Sequence, residues 1–208
     1  LPYVLMELEK LNVNYLIVLE KTDYITINAI EKFKSNIIFQ VKKGYGDAII
    51  LGIQNVKTKY FSIFNADGSF DPYELEPMYN KIHNNSLDLL LASRYIKNAS
   101  SEDDTIVTLI GNKIFSLIGK IFFKLPISDI LYTYVMGDTQ KVISLNLTQR
   151  DFTLCVELPI KAKRNGLSIA DIAANEKSRI GGTKKVNALR DGFLILLHMI
   201  KLFFKNEK

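Results

Sequence analysis

The sequence has few of the residues from which cysteine- and histidine-based sites are built. Cys155 is the single cysteine, and there are two histidines among 208 residues. One cysteine excludes an internal disulfide and a zinc site made of cysteines, and it favours a reducing, cytoplasmic location. His83 and His198 lie far apart and lack partners at ligand spacing, so we interpret them as a helix-end and a tail-face residue rather than metal ligands.

Long apolar runs are also scarce. No stretch approaches the roughly 20 apolar residues that cross a bilayer, and Glu7 and Glu9 stand where a signal peptide would be basic. Internal repeats and low-complexity segments are absent. Hydrophobic residues at 48% and charged residues at 24% are typical of a globular protein, which excludes the disordered, collagen-like and coiled-coil classes.

Positive charge is concentrated near the end of the sequence. The formal net charge is +5, and 11 basic but only 4 acidic residues occur from Lys161 onward. This pattern predicts an anionic partner such as phosphate groups or a membrane surface, the alternative being a solvated helical face. The aromatic residues form no stacking platform beside a basic groove, so we expect no nucleic-acid partner.

Short apolar runs alternate with segments of helical period, which is typical of an α/β fold with a mostly parallel central sheet flanked by helices. We predict strands at 15–19, 36–41, 60–64, 87–93 and 168–173. We predict helices at 1–11, 26–33, 47–56, 72–83, 106–124, 152–165 and 186–204. The wide apolar face of 106–124 suits either the core or the headgroup layer of a membrane, and the core is the favoured interpretation.

The most informative stretch runs from Tyr60 to Pro72. A predicted buried strand leads into Asn65 and Asp67, which places both at the carboxyl end of a parallel strand, where open α/β sheets bind ligands. Two oxygen-bearing side chains two residues apart can face a hard cation such as Mg²⁺ or Mn²⁺ that bridges diphosphate oxygens. The alternative is an Asx-type turn that closes the strand.

Two further segments follow predicted strands. Lys43, Gly44 and Asp47 lie where a helix begins, and backbone N–H groups and lysines at such a place can meet a nucleotide, although Gly-x-Gly is also common turn chemistry. Arg94 ends another strand, and we expect it at the same sheet edge as Asp67. Its planar guanidinium suits phosphate, with a structural ion pair as the alternative.

Taken in order, these motifs resemble the family 2 glycosyltransferases, and among them the polyprenyl-phosphate (dolichol-phosphate) mannosyl- and glucosyltransferase branch. The resemblance rests on Gly44-x-Gly46, Asn65-Ala-Asp67-Gly68, Ser93-Arg94-Tyr95, Asp129, Glu157-Leu158 with Lys161, and Arg179 with Gly182-Thr-Lys184. It implies a GT-A domain over 1–185 followed by an amphipathic helix over 186–208. It also implies a nucleotide-diphospho-sugar donor, Mg or Mn, an inverting transfer of a hexose to a polyprenyl phosphate or related lipid-linked acceptor, and a peripheral place on the inner face of a membrane.

The resemblance further implies roles for individual residues. Asp67 matches the second aspartate of the family's Asp-x-Asp metal motif, and Asn65 stands at the first. Glu20 and Asp23 fall where the family binds the nucleotide. The catalytic residues would be Asp129, matching the aspartate that activates the acceptor phosphate, and Arg94. The cations around the acceptor phosphate would be Arg94, Arg179 and Lys184.

Four departures from the family pattern point to a catalytically weakened or inactive relative as an alternative to the active transferase, which stays the leading hypothesis. Asn65 removes one negative charge from the metal motif, Leu19 replaces an acid, and Val135 stands where relatives often carry an arginine. The family's opening strand has no counterpart, so either a segment precedes Leu1 or the fold begins differently. The alternatives are an inactive GT-A-like nucleotide-sugar-binding or scaffold protein, and a soluble transferase that acts on a saccharide in surface-polymer synthesis.

Overall fold

The chain alternates strands and helices over residues 1–33, 35–182 and 187–205, which the computed structural model describes. The elements of the first half are α1 (Pro2–Lys10), β1 (Leu16–Glu20), α2 (Tyr24–Ala29), β2 (Asn36–Gln40), α3 (Tyr45–Asn55), β3 (Tyr60–Ser62), a 3₁₀ turn (Pro72–Glu74), α4 (Leu75–Asn84) and β4 (Leu89–Ser93). Those of the second half are β5 (Ser100–Ser101), α5 (Ile106–Phe123), β6 (Val135–Asp138), α6 (Thr139–Ser144), α7 (Leu154–Arg164), β7 (Ile169–Ala173), β8 (Asn175–Glu176) and α8 (Ala188–Phe204).

The central sheet has four strands in the order β3, β6, β4, β7. β4 and β7 are parallel, and β6 runs antiparallel to both β3 and β4. The pairs β1–β2 and β5–β8 are parallel and form two smaller sheets. The predicted α/β architecture is confirmed, and the central sheet is mixed because of β6, a reversed strand that the sequence analysis did not predict.

β4 lies at the centre of the core and is buried along its whole length. Leu89 and Leu91 pack in one cluster with residues of α3, α7 and α8, whereas Leu90 and Ala92 pack on the opposite face with residues of α4. Successive side chains of a strand point to opposite faces, so a strand covered on both sides is apolar throughout. This continuous apolar run made β4 recognisable in the sequence.

α5 packs against the core on one side only, through Phe115, Ile118 and Phe123, so the favoured interpretation of this segment holds for that side and not for the rest of the helix. Only 11% of its residues are buried, and by length and composition alone it could cross a membrane, contrary to the expectation that no stretch could. Ser116 and Gly119 form its buried side, where the Ser116 hydroxyl accepts a hydrogen bond from the N–H of Ile130 at 3.1 Å. An apolar sequence pattern does not show how much of a helix its neighbours cover.

The segments that carry the predicted site leave the central sheet at one edge. β3 and β4 both run antiparallel to β6, and β7 runs parallel to β4. The carboxyl ends of β3, β4 and β7 therefore point the same way, toward Asn65, Arg94 and Glu176 respectively. This agrees with the expectation that Arg94 and Asp67 share a sheet edge.

Candidate active site

Asn65 follows β3, and its side chain is held by α3. The Tyr45 hydroxyl donates a hydrogen bond to Asn65 Oδ1 at 3.2 Å and lies 2.7 Å from the Thr133 hydroxyl. Burial raises the pKa of Tyr45 well above its ordinary range, so the hydroxyl keeps its proton. The Tyr45 ring stacks on Phe152 with centroids 4.7 Å apart. The sequence analysis did not identify Tyr45 as part of the site.

Asp67 uses one carboxylate oxygen within its own turn. Oδ1 accepts hydrogen bonds from the Ser69 N–H at 3.0 Å and from the Ser69 hydroxyl at 2.7 Å. This is the Asx-type turn that the sequence analysis kept as an alternative. The second oxygen, Oδ2, lies 3.9 Å from Nη1 of Arg179. One oxygen of Asp67 therefore shapes the turn, and the other faces a cation.

Arg179 is held mainly by the acidic segment before α5. Its guanidinium donates to the two carboxylate oxygens of Asp103, at 3.3 and 2.7 Å, and this hydrogen bonding raises the pKa of Arg179. About a quarter of its side chain is exposed. Lys184, predicted to bind the same phosphate, lies outside the described residues. Arg179 is thus a partly accessible cation beside Asp67.

The segment around Arg179 lies across the Asp67 turn. The Ile180 N–H donates to the carbonyl oxygen of Asp67 at 2.8 Å, and the Lys177 N–H donates to that of Ser69 at 2.9 Å. The Ile180 side chain covers Gly68 so closely that a Cβ at position 68 would lie 2.8 Å from it. The φ of +87° favours glycine there, and a larger residue would also push the Ile180 side chain away.

Arg94 lies in a buried network of three carboxylates. Its Nε and Nη2 donate to the two oxygens of Asp129 at 2.7 and 3.1 Å, and its Nη1 donates to Glu176 at 3.1 Å. Asp104 lies 3.7 Å from the same Nη1. The ring of Tyr132 faces the guanidinium, with the guanidinium carbon 4.6 Å from the ring centroid. The structural ion pair that the sequence analysis kept as an alternative is therefore present.

The surroundings keep Arg94 charged and enclosed. Burial lowers the pKa of Arg94, but the charge and hydrogen bonds of Asp129, together with Glu176, more than compensate and raise it above its ordinary value. The Arg94 and Asp129 side chains are 8% and 0% exposed. Their predicted contact with the acceptor stays a prediction, since in this arrangement the two side chains bind each other.

The Gly-x-Gly stretch before α3 approaches protein backbone. A Cβ at Gly44, whose φ is +130°, would lie 2.1 Å from the carbonyl oxygen of Arg150, and one at Gly46 would lie 2.4 Å from that of Gln149. The Asp47 N–H donates to the Arg150 carbonyl oxygen at 3.2 Å. These glycines therefore make room for the loop at 149–151, a contact that nothing in the local sequence indicates.

The remaining residues predicted to bind the nucleotide make polar contacts with neighbouring protein groups. Lys43 lies 3.5 Å from Glu20, with Nζ and Oε2 as the nearest atoms. Asp23 caps α2 by accepting a hydrogen bond at 3.1 Å from the N–H three residues further on. Asp47 lies 3.7 Å from the Nε of Arg150. Asp23 has a structural role of its own, whereas the exposed ends of Glu20 and Lys43 remain open to a ligand.

Glu157, part of the family-like pattern, supports the same loop from inside. Its carboxylate accepts hydrogen bonds from the backbone N–H groups of Thr148 and Gln149 and from the Thr148 hydroxyl, and it pairs with Lys161 at 2.9 Å. Burial raises the pKa of Glu157, but these hydrogen bonds outweigh it and lower the pKa below the ordinary value. Glu157 therefore positions the loop that contacts Gly44.

The oxygen atoms of Asn65 and Asp67 fit a cation that binds together with a diphosphate. In the described part of the chain, no three His, Cys, Asp or Glu side chains form a group that could hold a metal. Asp67 Oδ2 and the amide oxygen of Asn65, which has a second lone pair beside its bond to Tyr45, are the available ligands. Mg²⁺ is commonly bound by one or two carboxylates together with substrate phosphates.

The architecture that carries this site is the GT-A fold of nucleotide-sugar transferases. Glucosyl-3-phosphoglycerate synthase from Mycobacterium tuberculosis, solved with Mn²⁺, uridine diphosphate and phosphoglyceric acid, matches 100% of this chain and 75% of its own, with a TM-score of 0.73 at 11% identity. Mannosyl-3-phosphoglycerate synthase from Rubrobacter xylanophilus matches 96% of this chain and 68% of its own, with a TM-score of 0.72 at 13% identity. The predicted GT-A fold is confirmed.

The sequence also matches a family profile. The profile described as "Glycosyl transferase family 2" covers residues 6–143, so this chain belongs to glycosyl transferase family 2. Uncharacterized glycosyltransferases of Mycobacterium bovis and Mycobacterium tuberculosis are 22% identical to it over 169 residues, which are 81% of this chain and 76% of theirs. The predicted family is confirmed, and these matches do not distinguish the polyprenyl-phosphate branch within it.

Proposed function

We propose that this family 2 glycosyltransferase moves a hexose from a nucleotide-diphospho-sugar to a polyprenyl phosphate or a related phosphorylated acceptor. The observation that carries the proposal is the pair formed by Arg179 and Asp67, whose Nη1 and Oδ2 lie 3.9 Å apart at the carboxyl edge of the sheet. This distance is too long for a direct hydrogen bond, so Arg179 can turn from Asp67 toward a diphosphate without breaking a hydrogen bond to that carboxylate.

On the donor side, Asp67 Oδ2 and the Asn65 amide oxygen would hold Mg²⁺ or Mn²⁺ together with the diphosphate. The cation would neutralise the diphosphate charge and so stabilise the nucleoside diphosphate as it leaves. Arg179 would turn from Asp67 toward the phosphate oxygens, since a guanidinium binds phosphate through two parallel N–H donors. Tyr45 keeps the Asn65 oxygen in position through its hydrogen bond.

The transfer itself is a single displacement. An oxygen of the acceptor phosphate attacks the anomeric carbon, and the bond from that carbon to the diphosphate breaks with its electron pair leaving on the diphosphate. The configuration at the sugar carbon is inverted. The acceptor phosphate is already anionic near neutral pH, so the protein mainly has to hold two anionic groups side by side and in line. In this arrangement Arg94 and Asp129 act as positioning residues, because they bind each other.

A groove beside Asp129 suits an acceptor that has both phosphate and apolar parts. It has a volume of about 460 Å³ and is lined by Lys113, Leu117 and Lys120 of α5, by the 125–128 segment and by Asp171. Ser128, next to Asp129, also lines the groove and donates a hydrogen bond to Asp171 at 2.6 Å. The two lysines would hold a phosphate in the groove while apolar α5 side chains contact a lipid chain.

The test is a transfer assay with common nucleotide sugars, Mn²⁺ and three acceptors. The acceptors are a polyprenyl phosphate, a small phosphorylated acid and a neutral oligosaccharide. We expect a labelled lipid product, weakened by Lys113→Ala together with Lys120→Ala. Transfer to the small acid alone would support a phosphorylated acceptor but contradict the proposal that this acceptor is a lipid. Transfer to the oligosaccharide alone would support the soluble transferase of surface-polymer synthesis instead.

Two observations favour a catalytically inactive, nucleotide-sugar-binding or scaffold protein as a second candidate. Asp67 Oδ1 is already occupied by its own turn, and Arg94 with Asp129 forms a closed network. Calorimetry with nucleoside diphosphates separates the candidates. Binding that requires Mn²⁺ and is accompanied by donor turnover supports the enzyme, whereas binding without metal dependence or turnover supports the second candidate.

A further inference from the structure

α5 and α8 expose far more apolar side chain than the other described helices. On α5 the large apolar residues that are more than half exposed are Ile106, Val107, Ile110, Ile114, Leu117, Ile121 and Phe122. On α8 those more than a third exposed are Leu189, Phe193, Leu194, Leu196, Leu197, Ile200, Phe203 and Phe204. We call these two sets together the α5–α8 surface. Exposed apolar patches of this extent mark interaction sites.

The two helices lie side by side and run in the same direction. Gly192 of α8 faces the ring of Phe115 of α5. Later in both helices, the rings of Phe122 and Phe203 meet edge to face with centroids 5.7 Å apart, so the two helices run in parallel. At 100° per residue, the exposed residues of each helix form an arc that begins at this contact and turns outward. The two arcs therefore join into one continuous apolar surface.

Basic residues lie along both outer margins of this surface. On the helical wheel, Lys113 and Lys120 fall on the side of α5 that points away from α8, and Arg190 and Lys201 fall on the side of α8 that points away from α5. Among the described residues, none of these four forms a salt bridge. Asp191 is the one acidic residue within the two helices. The surface is thus apolar in the middle and positive on both sides.

The inner sides of both helices are fixed to the body of the protein. The Ser116 hydroxyl accepts the N–H of Ile130, and a Cβ on Gly119 would lie 3.0 Å from the Ile130 side chain. The Arg164 guanidinium of α7 donates to the carbonyl oxygens of Leu202 and Lys205 at the end of α8. A membrane-spanning helix would have to break such contacts, so this geometry suits helices that lie flat on a surface.

We infer that the α5–α8 surface docks on an anionic lipid bilayer. Its apolar side chains enter the boundary between headgroups and acyl chains, and its marginal lysines and arginine contact lipid phosphates. A second copy of the chain fits less well, because face-to-face pairing of two such surfaces would bring basic margins together without acidic partners. The inference does not depend on the acceptor, since a membrane-bound enzyme can act on a soluble substrate.

The test is cosedimentation of the full chain with phosphatidylcholine vesicles that contain or lack phosphatidylglycerol. We expect binding to the anionic vesicles that weakens with salt. Ile114→Glu together with Leu197→Glu should weaken it by at least about tenfold, because charge replaces buried apolar area. Arg190→Ala and Lys201→Ala should each weaken it by about fivefold. The matched control is Ile25→Glu on α2, whose side chain is 86% exposed but lies outside the surface, and it should bind as the parent does.

Two outcomes would overturn the inference. One is equal binding of the parent, the Ile114→Glu/Leu197→Glu variant and the control, with circular dichroism showing that all three are folded. The other is a dimer in vesicle-free solution that the double variant dissociates, which would assign the surface to a second copy. Transfer to a soluble acceptor, measured on the same variants, should be unchanged, so failure of vesicle binding is distinguishable from failure of the proposed activity.

Discussion

Arg94 and Arg179 lie at the same edge of the sheet, but their surroundings are opposite. Arg94 is 8% exposed and binds Asp129 and Glu176 at 2.7 to 3.1 Å. Arg179 is 26% exposed and, although Asp103 holds it, its distance to Asp67 is 3.9 Å. Arg94 is held by buried carboxylates of the protein, whereas Arg179 can exchange one partner for another without leaving a buried charge unpaired.

This difference shows that sequence motifs of similar appearance can serve structure in one case and ligand binding in the other. Both arginines belong to the family-like pattern, and both were predicted to bind phosphate. A buried charge that loses its partner is strongly destabilising, so Arg94 would have to be replaced by another cation before Asp129 could act elsewhere. Arg179 has no such constraint. The comparison makes separate predictions for stability and for turnover.

The largest expected effect is on stability and follows from removing Arg94. Arg94→Ala leaves the carboxylates of Asp129 and Glu176 buried without their cation, which should lower the free energy of unfolding by about 3 to 5 kcal/mol. Urea denaturation followed by circular dichroism measures this loss. If Arg94→Ala does not fold, Asp129→Asn gives a milder form of the same test, since it keeps the shape of the side chain.

The control for this prediction is Arg150→Ala, because Arg150 is 53% exposed and lies 3.7 Å from Asp47. An exposed pair of this kind contributes about 0 to 1 kcal/mol. A loss in Arg94→Ala no larger than in Arg150→Ala would contradict the view that the Arg94 network supports the fold.

The next effect is on turnover and follows from removing Arg179. Arg179→Ala should lower kcat/KM by about a hundredfold, because one preorganised cation near the developing charge is lost. Its free energy of unfolding should change by less than about 1 kcal/mol, since its pairs with Asp103 and with Asp67 are both partly exposed. The measurements are transfer kinetics and urea denaturation on the same preparation.

Lys177→Ala is the matched control for Arg179→Ala. Lys177 lies two residues away, is 52% exposed and pairs with Asp71 at 2.8 Å. Its removal therefore perturbs the same segment without removing a contact to Asp67. We expect its turnover to stay close to that of the parent. Equal losses in both variants would mean that the segment as a whole matters and that Arg179 has no particular role.

The elements that the sequence predicted are those whose signal is local. β2 and β7 were predicted at 36–41 and 168–173 and occur at Asn36–Gln40 and Ile169–Ala173. α7 ends at Arg164, close to the predicted end at 165. β6 was missed because it has four residues and is defined by antiparallel pairing with strands more than 40 residues away in sequence. Pairing between strands so far apart produces no hydrophobic periodicity in the local sequence.

Asp67 and Arg94 were predicted from their positions after strands, and Asp129 and Arg179 from the resemblance to the family; their roles stay predictions. Their partners Asp103 and Glu176 were not predicted, because the ion pairs join residues 76 and 82 positions apart. Burial of the Arg94 network and exposure of α5 depend on tertiary packing, which decides whether a charged or an apolar side chain meets protein, ligand or lipid.

A smaller effect concerns how the stability contributed by the buried residue Glu157 depends on pH. Hydrogen bonds lower the pKa of Glu157 in the folded chain below its ordinary value of 4.5. Its contribution to stability is therefore complete above pH 4.5 and is lost as the pH falls through the lower, folded-state pKa. Denaturation of the parent and of Glu157→Gln should show a stability difference that narrows below about pH 4.5. A difference that stays constant with pH would contradict this role.

The smallest effect tests whether a metal or Arg179 balances the charge beside Asp67. Asn65→Asp adds a carboxylate next to Asp67 and should tighten Mn²⁺ binding, measured by calorimetry with a nucleoside diphosphate present, by about tenfold. Asn85→Asp, at the opposite end of β4, should leave it unchanged. If the new charge instead raises stability without changing Mn²⁺ affinity, Arg179 has neutralised it, and the cation at this edge is the arginine.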